Sequence, residues 1–157
     1  MTFQISGLAR ADFAHLFELD DAELRAHDAR RVIADQEYAF PCRVSLADAS
    51  VGEELILVNH EHLPVSSPFR SRHAVFVRRD AEDARLGRGE VPELLRRRAL
   101  SLRGFDGEGM MLDADLADGR ELEGAIEAML ADPAIDYIHI HYAKPGCFAA
   151  RVDRATA

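Results

Sequence analysis

The 157-residue sequence has no tryptophan, a single lysine at Lys144, only two cysteines, and no apolar run long enough to span a bilayer. A spanning helix needs roughly 18 to 20 consecutive apolar residues, so no membrane partner is expected. Cys42 and Cys147 are too few for a disulfide framework and should be thiols in a reducing compartment. The opening stretch MTFQISGLARADF lacks the charged-then-apolar order of a secretory signal, and the expectation is a cytoplasmic protein. Positive charge is also short. At a net charge of −9 the chain is a poor partner for nucleic acid, because phosphate binding depends on an excess of Lys and Arg. There is no Gly-x-Ser-x-Gly elbow, no glycine loop between a strand and a helix, no calcium-loop pattern, no internal repeat and no low-complexity linker.

What is present is globular: 48% hydrophobic and 30% charged residues, in a length suited to a single domain over residues 1–157 that buries its own core. Charge is segregated. Residues 1–69 hold 12 acids against 5 bases, Arg70–Arg103 holds 10 bases against 5 acids, and the remainder 11 acids against 4 bases. The central arginines either pair with the acidic flanks or form a surface for an anionic partner.

Periodicity predicts an N-terminal strand from Phe3, a helix with Phe13, Leu16 and Phe17 on one face, and a second helix opened by Asp20 and Glu23 at capping-box spacing, with Leu19 and Leu24 as a staple. Strands are expected at 31–34, Arg43–Leu46, Glu54–Asn59, Ala74–Arg78, Ala99–Arg103, Met110–Asp115, Ile135–Ala143 and Phe148–Val152. Pro92 suits the first turn of a short helix. Leu122, Ile126, Met129 and Leu130 form the best helical stripe, with Asp118 and Glu121 at capping-box spacing before it and Pro133 after it. Short turns join most strands, so the fold class is α+β: a mainly antiparallel sheet with two or three helices packed on one side.

The chemistry-bearing segment is DYIHIHYAKPGCF, residues 136–148. Alternation sets Ile138, Ile140 and Tyr142 toward the core and Tyr137, His139 and His141 on the opposite face. Two ligands are not a metal site, since zinc takes four protein ligands, or three and a water. No metal is therefore expected; the alternative is zinc on His139, His141 and Cys147. Further candidates to complete such a set are Cys42 and the second His-x-His, His60 and His62, although that pair, at a strand end near Pro64, is expected to be solvated. A thiol route would use Cys42, Arg43, His139 and Cys147, because a reactive cysteine needs a neighbouring cation or imidazole. Arg70, Arg72 and His73, at the mouth of a strand, are candidates for contact with an anion.

Three stretches, FPCRVSLADASVGEELILV, SPFRSRHAVFVRRD and IHIHYAKPGCFAARVDR, occur in the order seen in a bacterial family known as domain of unknown function 1203, which the chain resembles from about Tyr38 to Arg154. The resemblance singles out Pro41, Cys42, Arg43, Pro68, His139, Gly146 and Cys147, and implies a small stand-alone protein without implying an activity. The chain departs from that pattern at Val44 and Ser45, near Asp80, and at His141 and Tyr142, which weakens a metal set built on those positions. The expectation is a small binding or regulatory domain for an anionic small molecule or a protein partner. A thiol- or zinc-dependent enzyme is the alternative, and a homodimer the third reading.

Overall fold

The computed structural model describes residues 2–155, and in it eight strands form two antiparallel sheets with three α-helices. The larger sheet runs, edge to edge, β1 (Phe3–Ser6), β8 (Phe148–Arg154), β7 (Tyr137–Tyr142), β5 (Ala99–Phe105) and β6 (Met111–Asp118); the smaller runs β2 (Ala29–Ile33), β3 (Glu54–Leu63) and β4 (Ser71–Arg78). The α+β class and the antiparallel pairing agree with the sequence pattern, with the strands divided between two sheets. No helix among the described residues is long and apolar enough to cross a membrane.

Each sheet has its own core. Helix α3 (Leu122–Leu130) and the short α2 (Glu93–Arg96) cover the larger sheet, where Leu122, Ile126, Met129 and Leu130 meet Leu100, Leu102, Ile138, Ile140 and Val152. Burying each such side chain contributes about 1.5–3 kcal/mol relative to exposure, which is what holds a nine-residue helix that would be marginal alone. Helix α1 (Asp21–Ala26) and two 3-10 turns lie on the smaller sheet, with Phe13, Leu16, Phe17 and Leu24 against Val58, Val75 and Val77. The capping box at Asp20 and Glu23 is present in full. At α3 the expected box is different: Asp118 accepts from the Arg120 backbone and opens a 3-10 turn, Gly119–Glu121, ahead of the α-helix.

The strand expected at Arg43–Leu46 does not form. Leu46 has φ +54, and its N–H donates to the Cys42 carbonyl, so the segment closes as a turn. Isolated bridges at Pro41 and Cys42, with backbone bonds from Arg43 to Phe76 and from Leu8 and Ala84 to the Arg43 and Val44 carbonyls, attach it to the rest of the fold. Many of the central arginines reach acids outside their own segment: Arg78 pairs with Glu53, Arg79 with Glu54, Arg98 with Asp48, and Arg96 with Glu123.

Candidate metal centre

β7 lies between β5 and β8, and its isoleucines enter the core beneath α3 as the alternation requires. The opposite face is not open to solvent. All six β7 residues are buried, with His139 2% and His141 1% exposed. The cover comes from the other sheet and from register irregularities in its strand β3 and in β8. In β3 the register shifts between His60 and Leu63, where one extra residue breaks the alternation that would put His60 and His62 on the same side. His60 packs on Phe13, ring centroids 5.1 Å apart, while His62 turns into the space above β7, 5.6 Å from His139 and 5.1 Å from His141. In β8 a shift beside Ile140 and His141 sets Phe148 opposite His141, and its ring lies nearly flat on His62. His62, expected to be solvated, is 9% exposed.

His62, His139 and His141 each offer a ring nitrogen, and these atoms lie within 4.8 Å of one another. On every ring one buried nitrogen finds no hydrogen-bond partner among the described residues: His62 Nδ1, His139 Nδ1 and His141 Nε2. The other nitrogen is held on two of them. His141 Nδ1 lies 2.9 Å from the Gly146 carbonyl, which makes Nδ1 the protonated atom and leaves the lone pair on Nε2. His62 Nε2 lies 2.8 Å from Nδ1 of His73; with His62 as donor, its lone pair also sits on the unpartnered nitrogen. Contacts of this kind on the far ring nitrogen are what orient imidazole ligands in metal sites. Nitrogens on one tetrahedral zinc, each at about 2.05 Å, stand about 3.3 Å apart, so the rings need to close by about 1.5 Å.

The electrostatics keep the rings neutral. Burial, then the charge that His141, His139 and His73 would carry, pushes His62 down to about 2. Burial with His141, Arg151 and Arg103 takes His139 to about 3. For His141, burial outweighs the hydrogen bond to Gly146 and brings it to about 4. His73 is lowered as well, first by burial and then by Arg103 and Arg43. Lone pairs are therefore available throughout the physiological range.

The other candidates separate. Cys42 is fully buried in the core of the smaller sheet, its sulfur accepting from the Ser45 and Arg78 backbone. Cys147 is half-buried beside the core of the larger sheet, and its sulfur accepts from Arg43 at 3.0 Å. The two thiols belong to different clusters. Arg70 and Arg72 are taken up on Glu61 and Asn59 of β3; His73 alone of that trio reaches the histidine group. His62 is the member that sequence reasoning names and sets aside as solvated, because the bulge that aims it inward has no signature in residue type.

A profile of the family described as Protein of unknown function (DUF1203) matches residues 39–154. The chain belongs to the DUF1203 family. The matched span of this DUF1203 protein contains all four histidines of the cluster as well as Arg43 and Cys147. No curated protein and no solved structure matches the chain.

Proposed function

We propose that this DUF1203 protein binds a divalent transition-metal ion, zinc or a similar imidazole-seeking metal, through His62, His139 and His141. The observation that carries the reading is the set of three unpartnered nitrogens, one per ring, in a site shielded from water. Leaving a buried polar atom unsatisfied costs about 1–3 kcal/mol, a cost that a bound ion removes at all three at once. Three neutral imidazoles suit zinc, copper, iron or nickel, and three protein ligands is the number that leaves a fourth position for water or a ligand. Arg103 and Arg151, the register partners of His139 on either side, favour an anionic group in that position. Cys147 is not required, since its sulfur is already engaged by Arg43.

The test is calorimetric titration of chelator-stripped protein with Zn²⁺, paired with Co²⁺ absorption spectra that report tetrahedral coordination. One ion per chain is expected, with affinity reduced at least about 100-fold in each of His62→Ala, His139→Ala and His141→Ala. Absence of binding, or binding that all three variants retain, would overturn the reading.

A further inference from the structure

A cavity of about 670 Å³ opens beside the histidine group, bounded by residues of both sheets, and His73 belongs to its wall. That volume is in the range of small-molecule sites. Its described lining includes Arg43, Arg97, Arg98 and Lys144, and no carboxylate. Arg98 is neutralised by Asp48, outside the lining, at 2.6 Å. Arg43 is not neutralised. The residue is 1% exposed, and its guanidinium donates to the Phe148 and Pro41 carbonyls and to the Cys147 sulfur, with no carboxylate partner among the described residues. Five N–H groups serve these three bonds, so one on each terminal nitrogen is left over. A buried cation without a carboxylate partner is costly.

Against Arg43 lies Tyr142, its ring 4.9 Å from that guanidinium and 5.2 Å from Arg98. Tyr142 is 4% exposed, and its hydroxyl has no hydrogen-bond partner among the described residues. A buried hydroxyl donor and an unneutralised guanidinium thus share one cavity. Leu57, Phe76, Pro145 and the Tyr38 ring give the rest of the wall an apolar character. A shallower hollow of about 780 Å³ on the far side of Arg97 and Arg98 contains Asp118 and neither of these groups.

We propose that this cavity binds a small organic carboxylate, its anionic end on Arg43 and the Tyr142 hydroxyl and its hydrocarbon body against Leu57, Phe76 and Pro145. Bare inorganic anions would leave the apolar wall unused, and a neutral analogue would leave the guanidinium unpaired. The site stands on residues other than the three metal ligands; His73 in its wall bonds His62, and Tyr142 follows His141 in β7. A carboxylate seated here therefore lies one imidazole away from the metal centre.

The experiment uses chelator-stripped full-length protein and calorimetric titration with benzoate and hexanoate, with benzamide as the neutral counterpart. The carboxylates should bind in the sub-millimolar to millimolar range and benzamide not detectably. Tyr142→Phe removes only an unpartnered hydroxyl, so the fold should be unharmed while carboxylate affinity falls about tenfold. His139→Ala should keep carboxylate affinity within about twofold, which separates this site from the metal reading. Failure of both carboxylates to bind, equal binding of benzamide, or an unchanged affinity in Tyr142→Phe would overturn the proposal.

Discussion

His62 and His141 stand edge to face, centroids 5.1 Å apart and planes at 79°, although one comes from the small sheet and the other from the large. Their contact joins the two sheets through imidazoles where a protein ordinarily uses aliphatic side chains. The other nitrogen of His62 rests on His73 at 2.8 Å. Replacing His73 by asparagine should weaken metal binding by about 10- to 100-fold without abolishing it, because the outer contact orients the ligand and is not itself a ligand. Zinc titration of the variant against the parent provides the comparison.

Acid should destabilise the metal-free protein earlier than its carboxylates alone would. The unfolded chain protonates its histidines near 6.5, whereas the folded protein holds His62, His139 and His141 neutral down to about 2, 3 and 4. The unfolded state therefore binds more protons in the window between, and stability is full above pH 6.5 and falls as pH drops from there toward 4. Each group contributes a slope of up to about 1.4 kcal/mol per pH unit. Carboxylates such as Glu54, lowered by its hydrogen bond to Arg79, add to this only below about 4.5. Urea midpoints between pH 7.5 and 4.5 report the effect, and replacing the three histidines by glutamine should flatten the curve.

The two thiols should differ in access. Cys42 is 0% exposed, while Cys147 is half-buried at the cavity wall. A thiol reagent such as DTNB should modify one cysteine per native chain, the modified residue being Cys147, and two in denaturant. Rapid reaction of both under native conditions would contradict the packing around Cys42.

Two glycines near α3 predict opposite outcomes. A Cβ at Gly119 would stand 1.8 Å from the Leu95 carbonyl oxygen, so Gly119→Ala must displace backbone and should cost several kcal/mol or prevent folding. Gly124 is exposed inside the helix with nothing near its added Cβ, and Gly124→Ala should stabilise by about 0.5–1 kcal/mol. Thermal melts of the pair suffice.

Much of the scaffold was legible. The stripe from Leu122 to Leu130, the Asp20 box and the alternating Ile138 and Ile140 each state their own burial, because a single local period decides them. The site was legible only in part. His139 and His141 were placed on the correct face, but that this face is covered depends on the second sheet, and covering is a long-range property. Arg43–Leu46 carries strand-forming residues and still folds as a turn, since Leu46 adopts a left-handed backbone that residue type argues against. Arg70 and Arg72 looked like the anion contact, yet their nearest polar groups are Glu61 and Asn59, and the buried cation is Arg43.

β3 contains one residue more than its ladder with β4 needs. Inserting one residue into β4 between Ser71 and Arg72 would pair the extra residue, restore strict alternation in β3 and carry the His62 imidazole to the side that His60 faces, with every other histidine left where it is. Such a protein would have the same donors in nearly the same order and nowhere for them to converge. The convergence of these imidazoles is thus encoded in a mismatch of length between neighbouring strands, something no inventory of ligating residues records.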